Sequence, residues 1–130
     1  MGKNWISWGA ALALTAVALG AFGAHGLKAV LAPDRLEIFH TGVRYQFYHA
    51  FALLFLGIWQ RTSNTSPRLL PWAGTAFVVG VFLFSGSIYA LAVRDWLNWP
   101  VSWLGPITPV GGLLFILGWA FVLIGALKEE

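Results

Sequence analysis

The sequence predicts an all-α fold: an integral membrane bundle of four helices. Composition is the first observation, with 58% of residues hydrophobic, 10% charged and a mean hydropathy of +0.73. A soluble domain of 130 residues would need a charged exterior that this chain does not supply, whereas lipid solvates an apolar one. The second observation is that the apolar residues fall into four segments bounded by charge or proline. Together these predict one transmembrane domain over residues 1–130, with spans at about 5–24, 41–60, 69–93 and 109–127. An amphipathic helical lead-in precedes the second span, and a Pro/Trp-rich loop precedes the fourth.

The first segment, Trp5 to about Ala24, follows Lys3 and contains no charge. As a helix its roughly 20 residues reach about 30 Å, the thickness of the hydrocarbon layer. Ala21-Phe22-Gly23 imitates a signal cleavage site, but the basic lead is thin and three apolar segments follow, so the segment is expected to be retained. The second segment, Tyr45 to Trp59, is about 22 Å long as a helix, too short to cross unless the helix begins earlier. An earlier start carries Arg44, His49 and His40 towards the membrane. Pro33-Asp34-Arg35-Leu36-Glu37 supplies that start, with Asp34 as cap and Glu37 three residues on.

The third segment, Leu69 to Val93, spans with tilt. Pro100, Pro106 and Pro109 then interrupt a long uncharged run. Thr108-Pro109 is expected to open the fourth helix, since threonine caps well and proline suits a first helical position. Trp96, Trp99 and Trp103 before it suit the headgroup layer.

Four crossings put both termini on one side with the basic connection Arg61 to Arg68. The His25 loop, the start of helix two, the end of helix three and the start of helix four then share the opposite leaflet. Counting Lys and Arg leaves a tie, with Lys3, Arg61, Arg68 and Lys128 against Lys28, Arg35, Arg44 and Arg94. Because the second set is mixed with Asp34, Glu37 and Asp95, the termini are expected inside. The net charge of +3 reads as topology signalling and contact with membrane lipids, not as a nucleic-acid face. With no cysteine there is no disulfide, thiolate ligand or thiol nucleophile.

Small residues indicate helix contacts. Gly9, Ala13, Ala16, Gly20 and Ala24 share a face of helix one, and Gly111, Gly118 and Gly125 align on helix four. Such stripes admit close backbone approach in lipid, within the bundle or between copies in a homo-oligomer.

The polar residues that bear chemistry lie between Pro33 and His49 and again near Ser85. At 100° per residue, Glu37, His40, Arg44 and Tyr48 form one stripe, and Thr41, Tyr45 and His49 form the adjoining one. Ionisable groups near hydrocarbon are costly and mark functional sites. His49, the deepest, is expected to be neutral and hydrogen-bonded, either as a tie between helices or in a site. His40 and His49 stand about 13 Å apart along a helix and about 90° around it, which excludes a shared metal ion. Axial haem ligation by His25 and His49 has no supporting motif. Ser85 and Ser87 lack the spacing of a hydrolase elbow and suit packing, with Ser85 and Tyr89 on one helix face.

Four strings resemble a known family over nearly the whole chain: Gly20-Ala21-Phe22-Gly23-Ala24-His25-Gly26, Thr41-Gly42-Val43-Arg44-Tyr45-Gln46-Phe47-Tyr48-His49, Phe84-Ser85-Gly86-Ser87-Ile88-Tyr89 and Thr108-Pro109-Val110-Gly111-Gly112. They look like the pattern of the DUF423 family, the YgdD-like small inner-membrane proteins, which is similar to the animal protein called transmembrane protein 256. The resemblance implies a multi-pass protein of the inner (plasma) membrane with cytoplasmic termini. It implies no activity, because the family is defined by an unknown function. Its pattern falls on His25, Thr41, Tyr45, Gln46, His49, Ser85, Gly86, Ser87, Tyr89, Thr108 and Pro109, and varies at Arg44, so the stripe with His49 is the better candidate.

Topology and resemblance thus indicate the same leaflet. The expected site is a polar pocket between helices two, three and four, lined by His25, Thr41, Tyr45, Gln46, His49, Ser85, Ser87, Tyr89 and Thr108. The amino end of helix four would turn its free N–H groups inward. Such a site suits binding or transport of a lipid-like or small anionic amphiphile, a lipid headgroup or a quinone among them. The competing expectations are an accessory subunit of a larger membrane complex and, further off, a membrane enzyme or a haem or metal protein. No catalytic or metal residue is singled out, and no cofactor is indicated.

Overall fold

A computed structural model describes residues 4–64 and 67–128. Lys3, expected to flank the first span, and Thr65 and Ser66 of the basic connection lie outside these residues. The chain folds as four α-helices with no strand among the described residues: α1 (Trp5–His25), α2 (Pro33–Thr62), α3 (Leu70–Leu97) and α4 (Ile107–Lys128). One-turn 3-10 helices at Leu27–Ala29 and Ser102–Leu104 fill the first and last connections.

The lead-in and the second apolar segment form one continuous helix of 30 residues. Pro33 occupies the start of α2 after Ala32, whose extended ψ of 152° turns the chain into the helix, and no side chain caps it. Asp34 therefore lies inside the first turn, where its charge meets the positive end of the helix dipole, instead of capping as its spacing suggested. α1 is capped as a polar residue at that position should be, by Asn4 Oδ1 accepting from the Ser7 N–H at 3.1 Å. α3 runs four residues past the expected Val93. It closes at Asn98, whose φ of 54° is the left-handed conformation that asparagine tolerates. α4 opens at Ile107, two residues before the expected Pro109. Thr108 lies within its first turn, and its hydroxyl pairs with Ser87.

Among the described residues, three helical stretches are long and apolar enough to cross a membrane: Trp5–Ala29, Leu70–Leu97 and Ser102–Lys128. α2 has the length but not the uniform apolarity, because its first half carries the charges and polar side chains. Sequence-adjacent helices pack antiparallel, with α2 between α1 and α3, and α4 against α3. Gly9 lies on the carbonyl of Ala50, Gly23 on the Phe39 ring, Gly42 on Ile88 and Tyr89, and Gly118 on Phe77. An added Cβ at Gly42 would stand 2.7 Å from the Tyr89 ring. The Gly111, Gly118 and Gly125 stripe of α4 is buried as its spacing suggested. On α1 the buried stripe is Gly9, Leu12, Ala16 and Gly23, while Ala24 faces outward.

Two apolar clusters follow. One, around Trp5, Leu53, Leu56, Phe77 and Phe115, runs from the end where α1 begins and α4 ends to the middle of the bundle. The other, around Ala16, Leu27, Phe39, Val43 and Ala92, closes the His25 end. At that end Arg35 pairs with Asp95 at 3.1 Å, joining the start of α2 to the end of α3. Trp96, Trp99 and Trp103 are exposed there, next to these charges, as interfacial tryptophans are.

Candidate functional site

Polar side chains on apolar helices need partners, and several here find them across helix contacts, although the Trp5 indole N–H is buried without one among the described residues. Gln46, buried at 3% exposure, donates from Nε2 to the Leu12 carbonyl and to Thr15 Oγ1, both at 2.8 Å. Its Oε1 accepts from the Tyr89 hydroxyl at 2.6 Å. One amide therefore joins α1, α2 and α3. Ser85, fully buried, donates to the Gly42 carbonyl at 2.7 Å, joining α3 to α2 where Gly42 admits close approach. Ser87 donates to the Phe84 carbonyl at 3.0 Å and meets Thr108 Oγ1 at 2.5 Å, joining α3 to the first turn of α4.

His49 sits on the other side of α2. Its Nε2 accepts from Trp119 Nε1 at 3.0 Å, and Nδ1 lies 2.8 Å from the Tyr45 carbonyl. An indole N–H only donates and a carbonyl only accepts, so the pattern assigns the neutral imidazole with its proton on Nδ1. Both ring nitrogens are spent. The ring also stacks on Phe115, centroids 3.6 Å apart and planes 7° from parallel. Metal or haem ligation by His49 would require breaking its bond to Trp119. Among the described residues no group of three or more His, Cys, Asp or Glu side chains could hold a metal ion.

The expected site residues thus divide. Gln46, Ser85, Ser87, Tyr89 and Thr108 hold helices together. Tyr45 and His49 line a groove of about 580 Å³ with Phe84, Pro109, Gly112, Phe115 and Trp119, and its outer rim is Leu113 and Ile116, 65% and 67% exposed. The other two stand apart: His25 is exposed at the end of α1, and Thr41 bonds to the Glu37 carbonyl of its own helix at 3.1 Å. Of the neighbouring stripe, Arg44 pairs with Glu37 at 2.9 Å, and His40 lies beside Gly23 and Phe39.

Sequence reasoning missed Thr15 and the aromatic wall of α4. One signal was present for the latter. Trp119 lies in the middle of an apolar helix, not at an end where tryptophan meets headgroups, and Gly112, Phe115 and Trp119 recur at helical spacing.

Fold and site together define a small α-helical membrane protein whose buried polar groups tie its helices and whose α2 and α4 border an aromatic groove. The chain belongs to the DUF423 family, described as a protein of unknown function, whose family model matches residues 19–112. It is similar to the UPF0382 membrane protein YwdK of Bacillus subtilis strain 168, 41% identical over 126 residues, 97% of this chain and 98% of the relative. UPF0382 membrane proteins of Staphylococcus epidermidis and of Staphylococcus aureus strain RF122 are 42% and 40% identical, each over 97% of both chains. No solved structure matches the chain.

Proposed function

We propose that this protein binds a lipid-like amphiphile in the groove between α2 and α4. The observation that carries the reading is the groove itself: about 580 Å³, lined by Tyr45, His49, Phe84, Phe115 and Trp119 and open sideways along α4. Ligand sites span about 300–1,000 Å³ and are mostly apolar with a few placed polar groups, which matches this lining. The hydrogen-bonded ties behind it keep the walls in place without lipid having to fill the core. α2, lying antiparallel between α1 and α3, crosses the membrane with them, so the chain spans four times. The membrane is the plasma (inner) membrane, with the termini cytoplasmic, and the groove opens in the leaflet of the His25 turn.

Native mass spectrometry of protein extracted in mild detergent tests the reading. The expected result is mass beyond the 14.2 kDa chain, lost on substituting His49 by Ala. A bare chain or bare homo-oligomer refutes it.

A second reading, an accessory subunit of a larger membrane complex, draws on the internal use of Gln46, Ser85, Ser87, Tyr89 and Thr108. Groups spent on rigidity serve a scaffold as well as a wall. A gentle detergent pull-down that returns stoichiometric partner proteins and no bound amphiphile favours it.

A further inference from the structure

We propose that the occupant of this groove is one hydrocarbon chain of a bilayer lipid, with that lipid's polar head left outside, beyond the Pro109 end of the groove. The inference rests on the groove being a binding site and names what it takes.

Polar complementarity decides against a polar group at depth. At the floor, His49 Nε2 and Trp119 Nε1–H are spent on each other, and Nδ1–H is spent on the Tyr45 carbonyl. A ring carbonyl or charged head placed there would meet no free donor and would lose its own hydration without replacement. The Tyr45 hydroxyl is the lining side-chain group that bonds to no described residue, and the ring is 39% exposed. Its ring lies against Phe84 and Phe115, part-way along the α4 wall, while His49 reaches down to Trp119.

Length agrees. The α4 wall runs from Pro109 to Trp119, ten residues and about 15 Å at helical rise, half of a hydrocarbon layer about 30 Å thick. The groove therefore begins at the interfacial end and stops near mid-membrane, the depth that one chain of one leaflet reaches. The exposed apolar rim of Leu113 and Ile116 lets a chain enter sideways from the bilayer without its head leaving the surface.

The test offers the purified protein phosphatidylglycerol and phosphatidylethanolamine bearing lauroyl, palmitoyl or arachidoyl chains, with menadione, a naphthoquinone without a hydrocarbon tail, as a ring competitor, and reads retention by native mass spectrometry. Two variants fill the groove. Gly112→Leu is built where an added Cβ would stand 3.8 Å from the Phe84 ring, in ordinary contact. Ile116→Trp fills it from the rim and covers the case in which the first variant misfolds. The expected result is one lipid per chain, retention that follows the acyl chain and not the head, and its loss in both variants. Retention that follows the head group, or tail-less menadione displacing the lipid and being lost in the same variants, overturns this inference and leaves the groove a binding site. Lipid retained equally by both folded variants places the lipid elsewhere and overturns it. No adduct from any probe overturns the groove reading as well.

Discussion

The Tyr89 hydroxyl donates to Gln46 Oε1 at 2.6 Å while the amide of the same Gln46 donates to the Leu12 carbonyl, so α3 and α1 are joined through one side chain of α2. The three residues are 34 and 43 positions apart in sequence, counted from Gln46.

Removing this link in parts separates its contributions. Tyr89→Phe deletes one bond and is expected to cost about 0.6 kcal/mol, the average for a hydrogen bond between membrane helices. Gln46→Leu strands the Tyr89 hydroxyl, and takes a donor from the Leu12 carbonyl and from Thr15 Oγ1, whose own O–H still bonds within α1; it is expected to cost about 1–3 kcal/mol. The double variant should cost less than the sum of the two, because each single change already breaks the shared bond. Unfolding in mixed micelles measures all three, and strict additivity would refute the link.

His49 and Trp119 give a second prediction. Trp119→Phe leaves Nε2 without its donor but keeps the ring contact with Phe77, so a loss of about 0.6 kcal/mol is expected. His49→Ala removes the bond and the stack on Phe115 together and opens a void, for an expected loss of at least about 2 kcal/mol. Equal losses from the two would mean that the stack contributes nothing.

Gly111 of α4 and Gly86 of α3 behave oppositely. Gly111 lies directly on the backbone of Phe84, so Gly111→Ala forces α4 off α3 and is expected to cost about 1–3 kcal/mol. Around Gly86 nothing approaches within 4 Å, and Gly86→Ala is expected to change stability by no more than about 1 kcal/mol, in the stabilising direction. The ordering, read from thermal unfolding in detergent, is the check. A destabilising Gly86→Ala would mean that another molecule occupies that face.

The Arg35–Asp95 pair is a weak lock. Its side chains are 25% and 71% exposed, so Asp95→Asn is expected to cost under about 1 kcal/mol, and less at high salt. A larger loss, insensitive to salt, would show the pair acting in low dielectric.

Helix number and order, the apolar spans of α1, α3 and α4, and the glycine stripe of α4 were all legible in the sequence. So was the need for α2 to begin near Pro33. Each is a property of contiguous residues: length against bilayer thickness, or spacing against 3.6 residues per turn. Where a start was misplaced, α2 begins at Pro33 and α4 at Ile107, each ahead of the polar residue, Asp34 or Thr108, whose spacing suggested a cap. What each polar residue bonds to was not legible. Tyr45 and Gln46 are neighbours, yet one lines the groove and the other faces α1, and His49 finds its donor 70 residues away. Periodicity says which residues share a face, but not which helix that face meets. The rotation of each helix is set by where glycines allow close approach, Gly9 on the Ala50 carbonyl, Gly42 on the Tyr89 ring and Gly111 on the Phe84 backbone. Sequence by itself determined a membrane bundle with polar residues it had to satisfy, and tertiary packing alone decided which became ties and which border the groove.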